Sequence, residues 1–569
     1  MKIKVTILFL LVFLCNYMVA QDNNIDRVVT VEREFQPDEH QAYKIQLTPN
    51  FQNEEMEANP EVDSTYSTYS NTLSVDYNLH PLKAAKTDFT PQSTLKGILE
   101  GAVGHRNSHM LFGYRISEDE KMSLDLYATH NAYWGKDALS KSLLGMQLIR
   151  HFDKIDVFFG LQGDNEFFTY YGRYFTPNNG INIPPGRTID QQNLWKIDTK
   201  IGLKSADKKK PVQFGLQTGY RAFIATNHAV ENQVRTHFNL KWSNNDRTST
   251  RNKPKHAAGV NLYLQNSFYS HQYEDDSTRN RHTLKVEPFY EYKHKNLRLH
   301  AGVNVDINIG TGKLLSKSDK IAFAPSPNIE FEWNLMNNIF NLYTQAKGSL
   351  GVGTLEEYLD QNRYLNIQKG VYFNTPRSYT PADIQIGFKI RPIKTMLVDI
   401  YGGYAYMINA CEMNASLGSL GGVTDYTLTL SDYQRWKVGG SIHYHYRDIL
   451  DININGNYYA WKNKSPNKSS NIVYDRPIWD LYARIDAHID SKWSIYSENY
   501  FAGKSIAQTS QGDQIKKPHI SLNIGGQYAI NTWLLVYLQL NNYIDRKNDI
   551  FYGYQSQGCH FLGGVKYKF

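Results

Sequence analysis

Leu297-Arg298-Leu299-His300-Ala301-Gly302-Val303-Asn304-Val305-Asp306-Ile307-Asn308-Ile309 is the stretch that decides the fold class. Every second residue is apolar, and those between are polar or glycine. Successive side chains of an extended chain point to opposite faces, so this segment has one greasy face and one wet face. A helix would instead bring its apolar positions round every three or four residues. The run is also longer than the ~5–6 residues usual for a globular strand and matches a tilted membrane-crossing strand of ~9–11 residues.

The pattern recurs. Trp479, Leu481, Ala483, Ile485, Ala487 and Ile489 alternate with Asp480, Tyr482, Arg484, Asp486 and His488. Val212, Phe214 and Leu216 alternate with Gln213 and Gln217, and Ile452 and Ile454 with Asn453 and Asn455. Leu534, Val536, Leu538 and Leu540 alternate with Leu535, Tyr537, Gln539 and Asn541. Such alternation cancels in any hydropathy window, which is why a mean hydropathy of −0.53 is compatible with a barrel in a bilayer. Beyond the first residues no apolar run reaches the ~18–20 needed for a membrane helix. The chain is rich in Tyr (41), Phe (26) and Trp (9), the amphipathic rings that suit a membrane–water boundary.

Connection lengths carry a second signal. Tight turns are expected at 150–154, 293–296, 335–338, 391–395, 447–449, 490–492 and 530–532. Long polar connections are expected at 170–192, 270–281, 310–320, 353–382, 411–433, 464–478, 505–516 and 545–559. Short and long alternate, as in barrels with short turns at one end and long loops at the other. The expected architecture is therefore an all-β, transmembrane antiparallel barrel over residues 95–569. It has about 22 strands, with 20 or 24 left open by the first ones. Such a barrel resides in the outer membrane, in contact with its lipid.

The two ends of the chain read differently. Lys2 and Lys4, the apolar run Ile7–Cys15 and the small Ala20 before Gln21 predict a signal peptide over 1–20. Its removal takes the formal net charge from +7 to +5, a mild balance with no sustained basic stripe, so nucleic acid is not an expected partner. Residues 21–94 are polar, with Glu54, Glu55 and Glu57 clustered, and read as a periplasmic or lumenal extension. At the other end Phe561, Val565, Tyr567 and Phe569 share one face of the last strand.

That strand, the strand count and the loop rhythm resemble the barrels of TonB-dependent receptors, in the style of Bacteroidetes outer-membrane proteins. The resemblance covers about residues 97–569. It implies that Phe561, Val565, Tyr567 and Phe569 form a C-terminal signal read by the barrel-insertion machinery. It also implies that Asp26-Arg27-Val28-Val29-Thr30-Val31 is similar to a TonB box, a segment that pairs strand to strand with the energy transducer TonB by β-augmentation. The pattern departs from the family in having only about 75 residues ahead of the barrel, too few for a full plug domain. Two functions stay open: solute uptake across the outer membrane, and a non-transporting scaffold or accessory subunit that partners another outer-membrane protein or lipoprotein.

Catalytic spacings are absent. There is no G-x-S-x-G, H-E-x-x-H, C-x-x-C or Walker loop, so neither an enzyme nor a cofactor is expected. His443 and His445 share a strand face, which fits a wet lumen better than a metal site. Asp275-Asp276 fits a solvated pair better than a calcium site. Arg298, Asp306, Asp480, Arg484, Asp486, Lys566 and Lys568 should face the lumen, and their mixed signs favour internal ion pairs over a selectivity ring. Cys411 and Cys559 are expected to be separate thiols. Thr354-Leu355-Glu356-Glu357 is a capping box that should open a short helix through Gln361. A lumen as wide as this count implies needs filling, and residues 21–94 and inward-folded loops are the material for it.

Overall fold

The structure is a computed structural model. It describes residues 96–119, 121–176, 180–181, 189–207, 210–226, 229–244, 254–270, 280–310, 323–336, 339–351, 353–366, 377–418, 421–465 and 471–569. The expected signal peptide, the extension 21–94 with Asp26–Val31, and Asp275-Asp276 lie outside those residues.

Twenty-two antiparallel strands close into one barrel. They begin with β1 (Gly97–Gly104), β2 (Asn107–Asp119), β3 (Met122–Tyr133), β4 (Leu139–His151), β5 (Ile155–Thr169), β6 (Gln191–Ser205), β7 (Val212–Ala225) and β8 (Val230–Ser243). Next come β9 (Lys255–Ser270), β10 (Arg281–His294), β11 (Leu297–Gly310), β12 (Phe323–Leu335), β13 (Phe340–Leu350), β14 (Tyr379–Ile393) and β15 (Met396–Leu417). The last are β16 (Val423–Tyr446), β17 (Leu450–Asn463), β18 (Trp479–His488), β19 (Trp493–Ala502), β20 (His519–Ala529), β21 (Leu534–Asn541) and β22 (His560–Lys568). A further hairpin, Ser505–Thr509 with Gly512–Lys516, is attached to the same sheet by a short parallel pairing with β15.

Closure is made by β1, which pairs with β2 on one side and β22 on the other, Gly101 lying opposite both Met110 and Val565. Gly97 and Phe569 exchange backbone hydrogen bonds of 2.7 and 3.0 Å, so no strand edge is left open at the seam. The Phe569 ring lies over Gly97, where a Cβ would collide with it, and stacks on Tyr114 and Tyr567 at centroid distances of 5.7 and 5.6 Å. Each ring pair is worth about 0.5–1.5 kcal/mol beyond burial. Phe569→Ala should therefore lower the thermal midpoint of the folded, heat-modifiable barrel, whereas Phe569→Tyr, which keeps the ring, should not.

The face assignment holds along β11. Val303 is 47% exposed on the outer face, while its neighbours Asn304 and Asp306 are buried on the lumen side. Exposed tryptophans mark both rims of the apolar belt, Trp242, Trp333, Trp493 and Trp533 towards the tight turns and Trp195 and Trp479 towards the other end. Some of the expected lumen charges form ion pairs, and Asp480 is held by neutral donors instead. Arg484 binds Asp486 and Glu498 at 2.8 Å each, and Lys566 lies 3.3 Å from Glu100. Asp480 accepts from Asn457 and Tyr459, both at 2.9 Å.

The loop rhythm needs two corrections. The stretch 411–433, expected as a polar connection, is a strand hairpin in which β15 and β16 stay paired up to Leu417 and Val423. A bulge between Met407 and Ala410, with Asn409 at φ +52°, marks where that ladder turns irregular on its way out of the wall. The expected loop 505–516 likewise contains the attached hairpin.

Candidate functional site

At the long-connection end, described segments of the connections fold back over the barrel mouth. The connection from β13 to β14 folds inward and carries helix α1 (Leu355–Gln361). Thr354 is its N-cap, with the side chain accepting from the Glu357 N–H at 3.2 Å. The Glu357 carboxylate reaches the Gly353 N–H at 2.7 Å, one residue earlier than a capping box requires. Gly353 takes φ +68°, a left-handed turn that glycine adopts without strain. Leu355, Glu356, Tyr358 and Leu359 form the buried face.

The helix is latched to the lumen wall by charge. Glu231 on β8 accepts the Leu355 N–H at 2.6 Å, satisfying one of the free donors at the helix start. Glu356, only 9% exposed, receives Arg221 of β7 at 2.8 and 3.1 Å and Lys196 of β6 at 3.2 Å. Lys196 also binds Asp360 at 3.0 Å, and Arg221 binds Asp198 at 2.7 Å. Just past the helix, Arg363 pairs with Glu166 of β5 at 2.7 Å. Four positions of one connection thus grip four adjacent strands.

An aromatic cluster packs beside the helix. Tyr364 stacks on Tyr554 at 3.5 Å, and Tyr171 packs edge-on to both. Tyr426 donates to the Tyr552 carbonyl at 2.5 Å, and Tyr171 donates to the Gln555 carbonyl at 2.8 Å. Leu365 bridges to Tyr426, tying the α1 connection to the β15–β16 hairpin. Burial pushes the Tyr364 hydroxyl up to about 12, so the ring stays neutral. Two cavities flank Phe551 and Gln361. The larger, about 320 Å³, is lined by Lys141, Glu166, Lys196, Asp360, Arg363 and the ring of Tyr364 among others. The smaller, about 100 Å³, holds Arg476, Lys516 and His519 opposite Asp475 and Asp549.

No protein-family model matches the chain, and no curated protein matches it. Solved structures do. A mutant form of the ferric enterobactin receptor PfeA of Pseudomonas aeruginosa aligns with a TM-score of 0.61 at 11% identity, over 84% of this chain and 81% of that one. The ferric-catecholate import receptor Fiu of E. coli K12 aligns at 0.61 and 10%, over 83% and 82%. The siderophore receptor PirA of Acinetobacter baumannii aligns at 0.59 and 10%, over 84% and 81%. The chain has the barrel fold of these receptors.

Sequence reasoning placed α1 correctly and gave it no partners. Glu231, Arg221, Lys196 and Glu166, which hold the connection, were not singled out, although each lies on a strand face that alternates with outward residues. Phe561, Val565, Tyr567 and Phe569 all lie exposed on the outer face. His443 and His445 lie on β16, where His445 is held by Asp451 at 2.5 Å. Cys411 and Cys559 are both free thiols. Among the described residues no group of His, Cys, Asp and Glu has the arrangement of a metal site, and no helix is long and apolar enough to cross a membrane.

The latch gives the mouth a pH dependence. Burial works against the Glu356 charge, but Lys196 and Arg221 outweigh it and hold the carboxyl below its usual range. A lowered folded-state value stabilises above the free carboxyl's ordinary ~4.3 and is lost as pH falls through the folded value. The contribution of the Glu356 pairs to docking should be fully present at pH 7 and be lost only below about pH 4. Hydrogen exchange at Leu355–Gln361 should be protected at pH 6 and lose more protection at pH 3 than the β10–β11 ladder does.

Proposed function

We propose that this chain is an outer-membrane uptake barrel of the TonB-dependent-receptor type and not an enzyme. The observation that carries the reading is a closed barrel, apolar outside and polar inside, whose mouth is covered by a docked cap held by ion pairs that can be exchanged for a solute's. An outer apolar belt of this extent is stable only against lipid. The siderophore receptors that share the fold supply the precedent for uptake. The mixed charges of the 320 Å³ cavity name no single solute.

On this reading residues 21–94 occupy or lead to the lumen, and Asp26–Val31 serves as the strand offered to TonB from the tight-turn side. The outward face of Phe561, Val565, Tyr567 and Phe569, on the strand that closes the barrel, is what the insertion machinery reads. The test uses the full chain with a cysteine at Arg27. Uptake predicts a crosslink to the transducer that Val29→Pro abolishes at normal barrel abundance, because proline removes a ladder donor and fixes φ. Val29→Ala should retain most of it. No crosslink in any variant would instead support the scaffold function.

A further inference from the structure

The tight-turn rim carries a ring of cations that the barrel itself does not neutralise. Arg150 at the end of β4 and Lys154, Lys295, Lys394, Arg447 and Lys492 on the turns joining β4–β5, β10–β11, β14–β15, β16–β17 and β18–β19 are all exposed there. Among the described residues none of the six forms an ion pair. The exposed acids on the same turns are Asp153, Asp448 and Asp490, and Asp490 already accepts the Lys492 and Trp493 N–H groups at 2.7 Å each. At the mouth, the inward-facing Lys196, Arg363 and Lys516 are each matched to a carboxylate, while Lys504 and Lys547 are exposed without one among the described residues.

The rim cations are interleaved with exposed apolar side chains that continue the outer belt. The Arg150 guanidinium lies 5.2 Å over the Phe152 ring, and that of Arg447 lies 5.3 Å over Tyr446. Lys394 follows Ile393, and Lys492 sits between Ile489 and Trp493, all exposed. An apolar anchor with a cation just beyond it is the pattern that suits the edge of a hydrocarbon layer, where headgroup phosphates begin. The cations are also spread around the barrel. A globular partner needs one patch, whereas a bilayer leaflet meets the whole circumference.

We propose that this rim binds the phosphate groups of anionic glycerophospholipids in the leaflet at the tight-turn end. The proposal rests on the reading of the barrel as membrane-inserted and is independent of what it takes up, so the crosslink at Arg27 can succeed or fail separately. Clustered Lys and Arg near a bilayer surface draw anionic lipid with additive strength. Zwitterionic lipid, with no net charge, gives the ring no such preference.

The test is native mass spectrometry of the full-length barrel in detergent, with phosphatidylglycerol or phosphatidylcholine added at equal concentration. The wild type should retain phosphatidylglycerol in preference. Lys295→Gln, Lys394→Gln, Arg447→Gln and Lys492→Gln combined should weaken that retention by about tenfold or more and leave phosphatidylcholine unchanged. Lys504→Gln with Lys547→Gln, exposed cations at the mouth end, should change neither. Heat-modifiable mobility checks that each variant is folded. If the fourfold variant does not fold, Lys394→Gln with Lys492→Gln is measured in its place. Equal retention of the two lipids by the wild type overturns the proposal, as does unchanged phosphatidylglycerol retention in a folded variant. Binding to peptidoglycan sacculi that the variant loses, without any lipid preference, would assign the rim to a soluble polymer and overturn it too.

Discussion

Val303→Arg should leave most of the barrel unfolded or uninserted, seen as loss of the fast-migrating unheated band and of the protein from the membrane fraction. Val303 sits in the middle of β11 with its side chain exposed on the outer face. An arginine near the midplane of a bilayer costs roughly 2–4 kcal/mol, a large share of the few kcal/mol by which folded chains are stable. The neighbouring Asn304 is the control. It faces the lumen, is 4% exposed and donates to the Gly348 carbonyl at 3.2 Å. Asn304→Ala should cost only about 1 kcal/mol for the lost hydrogen bond. Equal effects at the two positions would overturn the face assignment.

That the contrast can be posed from two adjacent residues reflects why the wall was legible in the sequence. In β11 the requirement is local and repeats every second residue, because one face meets lipid and the other a wet lumen. The hairpin at 411–433 obeys a different rule. It stands above the belt, so neither of its faces needs to be uniformly apolar. Met413, Ala415, Val423 and Tyr426 are placed to meet the aromatic cluster of the mouth. Their spacing serves a few long-range contacts, and Gly418, Gly421 and Gly422 between them look like an ordinary loop. Alternation could find the wall and had nothing to say about a ladder outside it.

Helix α1 marks the same boundary within the candidate site. Its start is written in neighbouring residues, since Thr354 and Glu357 satisfy N–H groups only a turn away. Its docking is not. Arg221 and Glu356 are 135 positions apart, and Glu231 and Leu355 are 124 apart. Arg221 and Glu231, read alone, are ordinary lumen-facing residues on alternating strands. Only the closure of the barrel and the inward path of the connection bring them together, and neither is a property of any short window.

Glu356→Ala should open the mouth. The substitution leaves Arg221 and Lys196 largely buried without their shared carboxylate, and breaking a buried pair from one side costs about 3–5 kcal/mol. Part of that is offset because Arg221 keeps Asp198 and Lys196 keeps Asp360. What remains acts on the docking of α1 and not on the wall, whose ladders do not pass through this residue. The expected result is a normal heat-modifiable barrel with faster proteolysis between β13 and β14 and a raised conductance in planar bilayers. Asp360→Ala is the comparison, since Asp360 is 61% exposed and its pair with Lys196 should contribute no more than about 1 kcal/mol. It should leave both readouts near the wild type. If Glu356→Ala also leaves them unchanged, the ion pairs do not hold the cap, and the aromatic cluster around Tyr364 and Tyr554 must do so alone.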